Sequence, residues 1–330
     1  MRILGVGDKQ GTDMHRWEGW ETARPPAASV AALVIADHDA ADATAAIDAT
    51  GARMLGRVGW AGATARLDTQ GPLQLIALDC DGVDDSALAA ALPRIDQFAR
   101  DSDARLVATF ASSQVDLVAA NLFGPHVELL CSPSLPERVA AYALSLSQGG
   151  GHRLSDSARD IEAVRLRRLN EEIARIAETL ARLSRTDGED SPRGRIADRT
   201  MGYAAPPPAA AGDVPPVAPR EVRAAIRARR LRDQHFDTGL FEDPAWDILL
   251  DLFAAQLERA QVSVSSLCIA AAVAPTTALR WIAKMTDAGM LVRVPDPFDR
   301  RRAFMELSTG SSEAMRNYLG AVKRAGLPVV

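Results

Sequence analysis

"DAGMLVRVPDPFDRRRAFMELS", Asp287–Ser308, decides the fold of the C-terminal part of this chain. Gly289 stops the helical pattern that precedes it, as a glycine past a helix end does. "MLVRV" and "AFMELS" then read as two short strands, and the Pro- and Asp-containing segment between them reads as a turn. Arg300, Arg301 and Arg302 sit in that turn, although the whole chain carries a formal net charge of −5.

Upstream, "PTTALRWIAKMTDAGM" starts at Pro275, a good first helical residue. Ala278, Ile282 and Met285 make its inward stripe, joined at the edge by Trp281. Thr277, Arg280 and Lys284 fall on the outward side, with Thr276 at the N-terminal turn. Before it, "VSVSSLCIAAAV" predicts a short helix capped by Ser263 or Ser265, with Leu267 and Ala270 inward. "GLFEDPAWDILLDLFAAQLE" predicts another, with Asp243 as cap, Pro244 first, and Trp246, Leu249, Leu250 and Phe253 on one stripe. "REVRAAIRARRLRDQHF" (220–236) is a basic helix, and "SSEAMRNYLGAVKRA" is a last one.

Helix, helix, tight turn, helix and hairpin is the order of a winged helix-turn-helix. Residues from about 240 to 320 resemble the MarR-type winged-helix regulators, on "VSVSSLCIAAAVAPTTALRWIAKMTDAGMLVRVPDPFDRRRAFMELS". The resemblance implies double-stranded DNA as partner, with the helix from Pro275 meeting base edges in the major groove. Arg280 is then the candidate guanine contact, and Thr276 and Thr277 meet phosphate or a thymine methyl, with Lys284 beside them. In the family's wing an arginine enters the minor groove and an aspartate orients it; Asp299 and Arg301 match that pair. Narrow minor grooves attract arginine. Arg300 and Arg302 are assigned to phosphates, where each contact steepens salt dependence. The family's dimerising helices correspond to Arg220–Phe236 and Ser312–Ala325 as candidates. The long N-terminal half is a departure from plain MarR-type proteins.

Charge separates the two ends. Residues 1–150 hold 11 basic and 19 acidic residues, a net of −8, whereas residues 220–330 hold 16 and 13, a net of +3. Such asymmetry predicts different partners for the two ends. The three cysteines are far apart and each lies in an apolar run, which fits reduced thiols in a cytoplasm rather than a disulfide or zinc framework. No run of about 18 apolar residues predicts a membrane span. The start lacks the apolar core of a secretory signal. A cytoplasmic protein without membrane contact is expected.

Residues 29–150 alternate strand and helix. "VAALVIA" (30–36), "RMLGRVGW" (53–60), "LQLIALD" (73–79), "RLVATFA" (105–111) and "HVELLC" (126–131) read as strands. Helical stretches are expected at 40–50, 85–100, 112–121 and 134–147. The pattern predicts a flavodoxin-like doubly wound parallel sheet with its chemistry at the strands' carboxyl ends. Those ends carry Asp37, Asp39, Asp79 and Asp81. This resembles a response-regulator receiver domain. The resemblance implies Mg²⁺ at Asp37, Asp39 and Asp79, phosphorylation of Asp79, and a hydroxyl at Thr109. Ser132 stands where that family has a lysine. The chain's three lysines are Lys9, Lys284 and Lys323, so none lies in this region. Phosphoryl transfer depends on cations, so a degenerate receiver used for dimerisation, protein contact or signal input is the leading reading. "LDCDGVD" (78–84) also resembles the first motif of haloacid-dehalogenase-type phosphatases, but the later lysine and acidic loop are missing.

Between the two parts, Leu166, Leu169, Ile173, Ile176, Leu180 and Leu183 form an a/d seam within a helix at 154–186. It predicts a two-stranded coiled coil or, failing that, one amphipathic helix packed on its own domain. Residues 187–219 are rich in Pro, Gly, Ala and Asp and read as a flexible linker. Residues 1–28 fit no element. The sum is an α/β plus α+β chain: a receiver-like domain, a dimerising helix, a linker and a winged helix at 220–330. A homodimeric, sequence-specific DNA-binding regulator without enzyme activity is expected, answering to a regulatory protein or small ligand. The alternatives are a phosphorylated two-component regulator and a protein-interaction scaffold.

Overall fold

Five short strands of the N-terminal part, β1 Ala31–Ile35, β2 Arg53–Val58, β3 Leu75–Asp79, β4 Arg105–Phe110 and β5 Val127–Cys131, form one parallel sheet in the order β2-β1-β3-β4-β5. That is the flavodoxin-like order. The computed structural model describes residues 30–37, 40–148, 216–236, 239–299 and 301–328. Residues 1–28, Asp39, the helix expected at 154–186, most of the linker expected at 187–219, and Arg300 lie outside the described residues.

Strand side chains alternate between two faces, and both faces are covered. Ala32, Val34, Ala77, Val107 and Leu130 pack under α1 Ala41–Thr50 and α5 Leu135–Gln148, around buried Ile47 and Tyr142. Leu33, Ile35, Ile76, Leu78, Leu106 and Ala108 pack on the opposite face. That face is covered by α2 Ala63–Asp68, α3 Asp85–Ser102 and α4 Val115–Asn121. The short α2 is a helix that the sequence pattern does not reveal.

The C-terminal part holds α6 Pro219–Leu231, α7 Pro244–Glu258, α8 Val264–Ala270, α9 Pro275–Asp287 and α10 Thr309–Arg324. Pro219, expected in the linker, is the first residue of α6. Helix α7 is buried on two sides. Leu250 and Phe253 meet Val222 of α6 and Met315 and Leu319 of α10. Ile248, Leu252 and Ala255 face the core that α8 and α9 share. The Asp243 side chain accepts from the Trp246 N–H at the start of α7, and the Ser263 side chain does so from the Ser266 N–H for α8.

Strands β7 Leu291–Pro295 and β8 Ala303–Leu307 pair antiparallel, as the alternation predicts. A third strand, β6 Val262–Ser263, adds to β8. Gly289 takes φ 70°, and the Met290 N–H reaches back to the Met285 carbonyl, which ends α9 and starts the hairpin. Helix-helix-helix with a three-stranded wing sheet is a winged helix-turn-helix. No single helix among the described residues is long and apolar enough to cross a membrane.

Candidate nucleic-acid interface

In α9, Ala278, Leu279, Ile282 and Met285 are buried, so the inward stripe is as the spacing predicts, with Leu279 added. Thr276 and Thr277 are half-buried, and Arg280 and Lys284 are exposed. The Lys284 ammonium lies 4.8 Å from the centre of the Trp281 ring, which holds it by a cation–π contact.

The loop between β7 and β8 is tied by its own backbone and by Asp296. The Asp296 carboxylate accepts from the Phe298 N–H at 2.8 Å and the Asp299 N–H at 3.3 Å, an Asx-type turn. Asp299 accepts from the Arg301 backbone N–H at 3.0 Å and from its guanidinium at 3.1 and 3.3 Å. These bonds hold the Asp299 carboxyl below the usual carboxylate range. Arg302 stands further off, 3.9 Å from Asp299. The structure thus brings Asp299 and Arg301 together as a clasp at the wing tip, and Phe298 beside them is 97% exposed.

The outward face of α9 is engaged in part by the α/β part of the chain. Its N-terminal half lies along β5, the edge strand of the parallel sheet. The Thr276 hydroxyl oxygen accepts from the Cys131 N–H at 3.0 Å, and the Arg280 guanidinium pairs with Glu128. In α8, the Ser265 N–H and hydroxyl donate to Asp116 of α4 at 2.8 and 2.6 Å. On β7, Arg293 donates to the carbonyls of Ala119 and Ala120, 2.9 Å each, and lies over the Phe123 ring. Apolar residues of both parts, among them Leu117, Leu129, Leu267 and Leu279, belong to one continuous core. Asp116, Glu128 and Arg293 are not singled out by the sequence. Their partners are 149, 152 and about 174 residues away along the chain, and no local pattern marks them.

A second site lies at the carboxyl ends of β1, β3 and β4, a cavity of about 420 Å³ lined by Asp37, Asp42, Asp79, Asp81, Thr109, Ser132 and Arg138 among others. Asp79 ends β3 beside Thr109, whose hydroxyl is 3.3 Å from it. The cation missing from the Ser132 position enters instead from the first turn of α5. Arg138, nearly buried, donates to Asp79 at 3.3 Å and to the Thr109 oxygen at 3.1 Å. The residue is an arginine rather than a lysine, and it lies in "SLPERV" (134–139), six residues past Ser132. Among the described residues the Arg138 Nε has no hydrogen-bond partner. Burial pushes the neighbouring Cys80 thiol far up, with Asp79 and Asp81 adding to the effect.

The receiver resemblance implies a metal at Asp37, Asp39 and Asp79, and two of these carboxylates already have partners in the fold. Asp37 Oδ1 already accepts from the Trp60 N–H at 2.7 Å, and Asp79 is engaged by Arg138. Among the described residues no group of three His, Cys, Asp or Glu side chains is placed to hold a metal ion. Asp39, the third expected ligand, lies outside the described residues. Cys80 and Cys268 are buried and Cys131 is half-buried.

No protein-family model matches the chain, and no curated protein matches it significantly. Solved structures do. One is the MepR protein of S. aureus bound to ethidium bromide, 15% identical, covering 32% of this chain and 74% of that one with a TM-score of 0.23. Another is a transcriptional regulator of Thermotoga maritima, 22% identical, covering 32% and 66%, TM-score 0.23. A third is the heme sensor protein PefR of Streptococcus agalactiae in complex with heme, 16% identical, covering 32% and 74%, TM-score 0.22.

Proposed function

We propose that this chain is a homodimeric, sequence-specific DNA-binding transcriptional regulator that reads duplex DNA with α9 and the β7–β8 wing. The observation that carries this reading is the clasp of Asp299 on Arg301 at the tip of an exposed hairpin. A carboxylate that orients a guanidinium at a protruding tip prepares it for a narrow, negative groove. Arg302, and Arg300 by its place in the sequence, flank it as phosphate contacts. Thr276, Thr277, Arg280 and Lys284 form the base-reading and phosphate-reading face of α9. Half-exposed Leu231, Phe236 and Tyr318, on or next to α6 and α10, supply apolar surface for a second copy.

The test is duplex binding by the full chain across a salt series. Arg301→Ala is expected to weaken binding and to lower the magnitude of the salt slope by about one. Binding that is insensitive to salt, or unchanged by Arg301→Ala, overturns the reading.

One observation favours a second reading, a phosphorylated receiver. Arg138 stands on Asp79 and Thr109, where a cation neutralises the charge of an incoming phosphoryl group. Incubation with a small acyl phosphate and Mg²⁺ then adds the mass of one phosphoryl group, lost in Asp79→Ala. No mass gain removes this reading.

A further inference from the structure

Two residues of the α9 face assigned to DNA, Thr276 and Arg280, are already bonded to the chain's own acidic half. We propose that the α4–β5 edge of the α/β part is a docking surface for α8 and α9 that excludes duplex DNA, so that the chain holds its own reading helix shut. The proposal rests on the DNA-binding reading above and deepens it.

Four different contacts meet at this surface, each answering a need of the folded chain. Strand β5 is a sheet edge, whose outward backbone groups need a partner. The outward N–H of Cys131 finds the Thr276 hydroxyl. The first turn of α8 has unpaired N–H groups, and Asp116 takes that of Ser265 together with its hydroxyl. The last carbonyls of α4 need donors, and Arg293 serves Ala119 and Ala120. Arg280, the best candidate for a guanine contact, pairs with Glu128. Apolar side chains close the seam between these polar contacts.

The chemistry is that of a duplex surrogate. A guanidinium recognises carboxylate and phosphate with the same planar fork. The carboxylates come from the segment with a net charge of −8. Thr276 and Arg280 are each bonded to the α/β part, and the same atoms cannot serve a major groove at once. At the wing tip Arg301 is paired to Asp299 within its own hairpin, and its side chain is 54% exposed. In the docked state Thr276 and Arg280 are withheld from DNA, which leaves binding with weak sequence discrimination.

The test uses the full chain with Asp116→Asn and Glu128→Gln combined, neither of which belongs to the proposed DNA contacts. A control, Asp48→Asn with Asp101→Asn, removes equal charge away from the docking surface. Duplexes are selected from a random pool, and amide exchange at Cys131 and in α9 reports docking without DNA. The double variant is expected to exchange faster at Cys131 and to bind its selected duplex about tenfold more tightly than wild type, the effect of losing roughly one charge-assisted hydrogen bond. The control is expected to match wild type. Faster exchange with unchanged affinity overturns the proposal, because the surface docks without excluding DNA. Unchanged exchange overturns it too, because the docked state is then not the solution state. Faster exchange with no duplex bound by either protein retires the DNA-binding reading itself.

Discussion

Replacing Asp247 by Ala is expected to destabilise the winged-helix part by about 3 kcal/mol. Asp247 lies in the first turn of α7 and is 4% exposed. It receives Arg229 at 2.7 Å and Arg230 at 3.2 Å from α6. Arg230 is 34% exposed and can turn to water, whereas Arg229 is 8% exposed and cannot. Removing the carboxylate leaves the Arg229 cation buried, with Asp243 at 3.6 Å as its remaining acidic neighbour. Loss of one partner of a buried pair costs about 3–5 kcal/mol. The lower end applies because the Arg229 Nη2 has no hydrogen bond among the described residues, so the pair is imperfectly satisfied. The assay is urea unfolding followed by the fluorescence of Trp246 and Trp281. The double change Arg229→Met with Asp247→Leu is expected to recover most of the loss, since an apolar pair of similar volume needs no desolvation. A loss under about 1 kcal/mol for Asp247→Ala, the range of exposed pairs, refutes the account of α6 as clamped to α7 by a buried charge.

Three further outcomes are expected. The Asp299 carboxyl, held below its ordinary range by Arg301, favours the folded wing above the unfolded value of about 3.9. Its contribution is lost as pH falls through the lower folded value, so a carboxyl titration followed by NMR has its midpoint below 3.9, and a midpoint at or above it contradicts the clasp. The buried Cys80 thiol, raised by burial, resists alkylation at neutral pH in the folded chain and reacts in urea; rapid reaction when folded contradicts the packing of that pocket. Arg138→Gln is expected to slow any phosphorylation of Asp79 at least tenfold, and an unchanged rate shows that this guanidinium does not serve the reaction.

The strands of the α/β part are legible because each is a short apolar run bounded by Gly, Asp or Ala-rich helix, and both sheet faces are buried. The wing is legible for another reason: Gly289, the alternation in "MLVRV" and "AFMELS", and the turn residues between them act locally. Helix α2 escapes notice because six residues, "ATARLD", are too few to show a period. Strand β6 escapes for the same reason, being two residues long. Arg138 escapes because the cation reaches Asp79 from the next helix rather than from the strand end. The docking of α9 on β5 is illegible in principle. Thr276 and Cys131 are 145 residues apart, and each obeys its own element's rules without reference to the other.

The most direct measurement of the central claim is selection of duplex DNA from a random pool by the full chain, carried out with wild type and with the Asp116→Asn, Glu128→Gln variant. The account predicts an enriched inverted repeat whose half-sites lie about 10 base pairs apart or a multiple of that, recovered more strongly by the variant and lost with Arg280→Ala. A pool that shows no enrichment with either protein contradicts it.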